Sequence, residues 1–253
     1  MRAPRIITCA DAGYFHFLPH LEANVERKFG RLPLVYSLGL TEAQAGALRS
    51  EVVRVDVPAG FAGRESRRGF VMATHKPACI RDALDRSGGE GCLCIDADIF
   101  FVEPLRADDI GDADMAVTPR HPKERTPLHL ENGNLNSGFV YVSDRPAARA
   151  MLARWEEACA EGTRTDQKAL SDLLAGFGLL EGLGPVTRDG LALMRLDPRL
   201  FNDVRLKTGR VLHFKNAGRD PRIAAKLHRY RRWEERHPHA LAAYFRLRRA
   251  LGV

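Results

Sequence analysis

The chain predicts an α/β fold: a mostly parallel central sheet covered by helices on both faces. Three observations carry the expectation. Strand-like apolar runs alternate with helical periodicity from the start of the chain, the order that builds a parallel sheet. An apolar run over residues 91–105, bounded by Gly91 and Pro104, reads as a buried strand ending near two aspartates, Asp96 and Asp98, with only Ala97 between them. The length of 253 residues can bury a full core, as one large domain or one domain with an appendage.

Each element has its own signal. Residues 5–10 (Arg-Ile-Ile-Thr-Cys-Ala) read as a first strand stopping at Asp11-Ala12-Gly13. Phe17, Leu21, Val25 and Phe29 then recur at helical spacing over residues 14–29, and Gly30 ends that helix. Residues 32–38 give a second strand, 41–49 a short helix capped by Thr41, and 52–57 a third strand closed by Pro58-Ala59-Gly60. Residues 60–73 are rich in Gly and Arg and fit a mobile loop; Arg64, Arg67 and Arg68 there could meet phosphate, although an exposed basic loop is the commoner explanation. Pro77 sits in the first turn of a helix over residues 75–86. The central strand follows, and parallel placement would put Asp96 and Asp98 at the carboxyl edge of the sheet, where such folds bind ligands.

Residues 114–118 form another short strand. The polar stretch 121–134 lacks periodicity and is long for a plain connection, so it is expected to cover or recognise something. Residues 135–142 return to strand, with Gly138 permitting close backbone approach. Residues 146–161 are helical, and Thr165 is a good cap for the next helix, which sets Asp166 and Gln167 in its first turn. Residues 193–196 and 210–214 finish the body as short strands, and no internal repeat is visible.

Composition narrows the function classes. The five cysteines, at 9, 79, 92, 94 and 159, are odd in number, scattered and without zinc-site spacing, which favours a reducing compartment. No run approaches membrane-spanning length and the opening apolar segment is too short for a signal-peptide core, so the expected location is cytoplasmic. The net charge of +7 is concentrated in one place: residues 219–253 hold ten Lys/Arg against three Asp/Glu, which accounts for all of it. The expected organisation is therefore a body over residues 1–218 and a basic, amphipathic helical tail over 219–253. Ile223, Leu227, Tyr230, Trp233, Leu241, Tyr244, Phe245, Leu247 and Leu251 recur there at roughly helical spacing. Such helices lie on anionic membrane surfaces, so one expectation is peripheral attachment to the inner face of the membrane. The other is that the apolar face packs on the body and the arginines are its solvated side. Nucleic acid binding fits the charge but lacks any motif and is not expected.

Two carboxylates at the end of a buried strand are costly unless a cation compensates them, which suggests a divalent metal held by oxygen ligands. The plain alternative is a strand end whose acids face water.

Taken together, Leu38-Gly-Leu-Thr41, the Lys76-Pro77 helix, Ile95-Asp-Ala-Asp98, Asn136-Ser-Gly138, Asp166-Gln167, residues 196–202 (Leu-Asp-Pro-Arg-Leu-Phe-Asn) and His213-Phe214 resemble the nucleotide-sugar glycosyltransferases of the GT-A fold. The resemblance is nearest to the metal-dependent, retaining galactosyl- and glucosyltransferase-like families and covers roughly residues 5–217. It implies Mn2+ or Mg2+ held by Asp96, Asp98 and His213 against the diphosphate of a nucleotide sugar, a UDP-sugar by preference. It implies Asn136, Asp166 and Gln167 around the reacting sugar, and Thr8, Ala10, Asp11, Lys76 and Asp96 toward the donor. The implied reaction moves a hexose to a glycan or glycolipid hydroxyl, as in cell-surface polysaccharide synthesis. One departure concerns the segment after the histidine, where a Phe-x-Gly and Lys-Pro pair is often found; here it reads Phe214-Lys-Asn-Ala-Gly218, with Lys215 in place of the gripping lysine. Rival readings are a sugar nucleotidyltransferase, which needs a Gly-rich loop that residues 9–13 do not supply, an aspartyl-nucleophile phosphotransferase or phosphatase, and a sugar-nucleotide-binding protein without turnover.

Overall fold

The computed structural model describes residues 4–56, 74–161, 164–215, 217–218 and 220–252. The Gly- and Arg-rich stretch with Arg64, Arg67 and Arg68 lies outside the described residues.

The first half alternates strand and helix as its patterning dictates. β1 (Arg5–Ala10) leads through a short 3-10 turn into α1 (Leu18–Phe29), which ends at Gly30 with φ 70°, a left-handed cap that suits a residue lacking Cβ. β2 (Leu34–Ser37) is followed by the helix Glu42–Gly46, where the Thr41 hydroxyl and the Gln44 side chain form a reciprocal capping box. β3 (Val52–Arg54), α2 (Lys76–Ser87) and β4 (Cys92–Ile95) complete the parallel half.

After Ile95 the apolar run does not continue as one strand. The chain turns at Asp96–Asp98, the Ile99 amide donating to the Asp96 carbonyl at 3.1 Å, and β5 (Ile99–Phe101) leaves for a separate small sheet. β6 (Met115–Pro119) and β7 (Leu135–Val142) return to the main sheet; α3 (Pro146–Ala160) and α4 (Asp166–Leu173) cross its face. β8 (Gly184–Arg188) and β9 (Leu191–Arg195) form a hairpin, and β10 (Val211–His213) pairs antiparallel with β5.

The eight-stranded sheet runs β3-β2-β1-β4-β7-β6-β9-β8, with β7 and β8 opposed to the other six. β4 is thus central, parallel to β1 and antiparallel to β7, and buried throughout. Alternate residues feed two cores. Ile7, Cys94 and Val140 pack toward α2 and α3 with Ile80, Leu84 and Trp155, while Ile6, Leu93 and Phe139 pack toward α1 with Leu21 and Val25.

The tail forms α5 (Pro221–Arg236) and α6 (Pro238–Leu251), broken at His237 before Pro238. Its apolar stripe packs on the body: Leu227, Tyr230, Leu241 and Phe245 are buried in one cluster with Phe17, Phe100 and Phe214. Buried Glu234 accepts from Asn24 Nδ2 at 2.9 Å and pairs with Lys28 at 2.7 Å and Arg27 at 2.9 Å. In the reverse sense, buried Glu103 of the body pairs with Arg246 and Arg249 of α6, each at 2.8 Å. No helix among the described residues is long and apolar enough to cross a membrane.

A candidate active site at the carboxyl edge of the sheet

Strand register brings the chemistry together. Because Ile95 faces Phe139, the next residue, Asp96, meets Gly138, its amide donating to the Gly138 carbonyl at 3.0 Å. Because His213 faces Ile99 in the small sheet, its ring comes to the Asp96–Asp98 turn, and the Phe214 amide closes on the Asp98 carbonyl at 3.0 Å. His213 Nε2 lies 3.2 Å from Asp98 Oδ1 and 3.7 Å from Asp96 Oδ2. The three side chains offer ligand atoms within 4.8 Å of one another.

The cluster fits a hard divalent cation on the chemistry of its donors, two carboxylates and an imidazole. Two further observations agree. Asn202 Nδ2 donates to Thr118 Oγ1 at 2.9 Å, which leaves Asn202 Oδ1 to accept from His213 Nδ1 at 2.7 Å, so the lone pair of Nε2 faces the acids. At Gly138 a Cβ would sit 2.7 Å from both Asp96 Oδ2 and His213 Cε1, so the close approach requires glycine. With protons alone in the site, burial would lower the His213 pKa, but Asp98 and Asp96 outweigh it and hold it above the usual value.

Lys76 links this group to the far wall. Its buried Nζ donates to Asp96 Oδ1 at 2.7 Å and to the Ser137 carbonyl at 3.0 Å, and lies 3.4 Å from Asp166 Oδ2. Burial favours neutral Lys76, yet Asp166 and Asp96 raise its pKa well above the ordinary value. Burial likewise opposes the charged form of Asp96, but Lys76 and His213 prevail and lower its pKa.

Asp166 and Gln167 are both buried in the first turn of α4, which Thr165 caps by accepting from the Lys168 amide. Gln167 is held at both ends: Oε1 accepts from the Ser137 amide at 3.3 Å, and Nε2 donates to the Asn132 carbonyl at 2.7 Å. Asn136 Oδ1 accepts from the Gly138 amide at 2.9 Å.

A cleft of about 390 Å³ opens here, lined by Lys76, Asp96, Asp98, Asn136, Asp166, Gln167, His213 and Lys215, with Ala10 and Asp11 also in its wall. Of the candidates among the described residues, Thr8 alone is absent from the lining: it lies fully buried within β1. Lys215 reaches across to Glu124 at 2.6 Å. Asp11 is occupied locally, its carboxylate accepting from the Gly13 and Tyr14 amides.

Sequence reasoning gave no role to Asn132, Tyr14, Asn202 or Thr118. Asn132 had the position of its loop as a signal, since 121–134 was too long to be a plain connection; Tyr14, half exposed at the cleft, had none beyond its aromatic ring.

Comparison with known proteins agrees with the geometry. The chain is similar in structure to the galactosyltransferase LgtC in complex with donor and acceptor sugar analogs, with a TM-score of 0.57, 16% identity and coverage of 94% of this chain and 95% of that one. An active-site variant of LgtC gives 0.56 and 16%, over 88% and 94% of the two chains. A glycosyltransferase involved in glycosylation of the major capsid of PBCV-1 gives 0.52 and 14%, over 83% and 94%. At these identities the likeness shows a shared GT-A fold. No curated protein sequence matches the chain. Residues 44–216 match the nucleotide-diphospho-sugar transferase family model, and the chain is a member of that family, a glycosyltransferase.

Proposed function

We propose that the enzyme transfers a hexose from a UDP-sugar to a hydroxyl of a glycan or glycolipid, with Mn2+ or Mg2+ held by Asp96, Asp98 and His213 and with retention of configuration. One observation carries the reading: the Asp-Asp-His cluster shares a single cleft with Asn136, Asp166 and Gln167, and Lys76 lies between the two groups. A bound divalent ion would supply Lewis-acid stabilisation of the departing diphosphate. Lys76, paired with Asp96 and Asp166, and Lys215, paired with Glu124, line the same cleft, and in this reading they offset the negative charge that grows as the bond between C1 and the diphosphate oxygen breaks.

Gln167 is an amide with both ends engaged, which makes it a poor nucleophile. The reading is therefore front-face substitution. The acceptor oxygen bonds to C1 on the leaving-group side, its proton passes to the departing diphosphate oxygen, and Gln167 and the Asp166 carboxylate stabilise the cationic sugar between them. Asn136 orients the sugar from β7. The test is a panel of nucleotide sugars incubated with Mn2+, scoring donor loss by mass spectrometry, with Asp98→Asn as control. Loss of one donor that the variant abolishes is expected; no Mn2+-dependent loss and no donor-induced thermal shift would sink the assignment.

For the tail we infer contact with an anionic membrane surface at the cytoplasmic face, consistent with a membrane-linked acceptor. The apolar stripe is already used against the body, so the face left for lipid is the exposed arginines with Leu247 and Leu251, 58% and 64% exposed. Removing the tail would strip the core, so the test substitutes Leu247 and Leu251 with Ser and compares co-sedimentation with phosphatidylglycerol vesicles. Equal binding by both proteins would end the membrane inference.

A further inference from the structure

The polar stretch between β6 and β7 is built around a buried arginine that the proposed chemistry does not use. Arg120, 2% exposed, donates from Nε to the Gly133 carbonyl at 3.0 Å and from one terminal nitrogen to the carbonyls of His129 at 2.9 Å and Asn132 at 3.3 Å. Its other terminal nitrogen lies 3.9 Å from buried Glu124. Burying a guanidinium is costly, and burial lowers the Arg120 pKa despite Glu124. The carbonyls of a surface turn are satisfied more simply by water. The planar fork does what water does not: it fixes three carbonyls of one turn relative to each other.

That turn is clasped to α4 from the other side. The Asn134 amide donates to Ser171 Oγ at 2.6 Å, and Gly133, with φ 93°, packs so close that a Cβ would lie 2.6 Å from the Ser171 Cβ. Between these two supports, the Asn132 carbonyl receives the Gln167 side-chain amide and Asn132 Oδ1 receives the Thr165 hydroxyl. Gln167 Oε1, so oriented, accepts from Ser137 on β7.

We propose that Arg120 is a positioning residue for Gln167, shaping the turn 129–133 so that the Asn132 carbonyl locks the Gln167 amide into the cleft. The role given to Gln167 rests on the transferase reading above, but the mechanical link does not. A side chain meant to stabilise a short-lived cationic sugar must already be in place when the sugar forms, and a residue clamped at both ends needs no reorganisation.

The test substitutes Arg120→Lys, which keeps the charge and loses the fork. Hydrogen exchange of the Ser137 amide, whose acceptor is Gln167 Oε1, reports on the lock without any substrate. We expect that exchange to rise by about tenfold or more while β4 amides and the melting temperature hold. With the donor identified by the nucleotide-sugar panel, kcat should fall by about tenfold and donor KM stay within about twofold. Unchanged Ser137 exchange, or a rise shared by β4 together with a fallen melting temperature, would overturn the proposal. Should Arg120→Lys not fold, Ser171→Ala releases the other support of the turn and is expected to move Ser137 exchange in the same direction; no change there also overturns it. If even the wild type consumes no donor, the transferase reading fails while the exchange arm still decides the link.

Discussion

Asn202 holds His213 through Nδ1 and is itself fixed by Thr118, whose hydroxyl donates on to the Asn136 carbonyl at 3.1 Å. Three buried polar groups thus orient one ring, and the ring's remaining nitrogen faces the acids. Asn202→Ala should weaken Mn2+ binding by about 10–100-fold, read by calorimetric titration. The melting temperature should fall as well, because the substitution removes two buried hydrogen bonds, to His213 Nδ1 and to Thr118 Oγ1, so the titration is run at a temperature where both proteins are folded. The acids were legible in sequence because two like charges interrupting an apolar run need a compensating group. Asn202 stands in the sequence only as the end of the 196–202 motif, without a role, since its contacts span 11 and 84 residues of chain and no local pattern announces a partner that far away. Asn132 is a similar case, acting through its backbone carbonyl as well as its side chain.

At the scale of elements, most of the alternation was readable because periodicity and caps agree, as at Gly30, Thr41 and Thr165. β8 was missed despite a local signal: Val186-Thr-Arg188 and Leu191-Ala-Leu193 flank Asp189-Gly190, a pair suited to a tight hairpin, and both residues have positive φ, 50° and 77°. The tail helices were legible as amphipathic, but which surface they chose was not, because Glu234 and Glu103 pair with residues far away in the chain. The contact of α5 with α1 also carries a titratable group. His20 Nε2 lies 3.1 Å from Arg231, beside His228 and near His16, with Glu235 opposing them. Burial, then Arg231 and His228, lower its pKa from 6.5 to about 4. The unfolded chain therefore takes up this proton near pH 6.5 and the folded one only near 4, so stability falls as pH drops through that window. His20→Gln should flatten the fall, measured by urea unfolding at pH 7 and pH 4.5, with both proteins alike above pH 7.

For the whole molecule, the family match over residues 44–216 stops short of the tail, whereas the fold does not: residues 221–251 share a core with Phe100 and Phe214, directly behind the Asp96–Asp98 turn and His213. The basic charge that distinguishes the sequence is therefore carried on helices that support the site. The proposed metal site rests on Asp96, Asp98 and His213 together, which would hold one divalent ion and through it the donor diphosphate. It is tested most directly by titrating Mn2+ into wild type and Asp98→Asn, with and without UDP, followed by water-proton relaxation. One bound ion, tightened by UDP and lost in the variant, is the predicted result. Equal Mn2+ binding by both proteins, or binding indifferent to UDP, would contradict the claim.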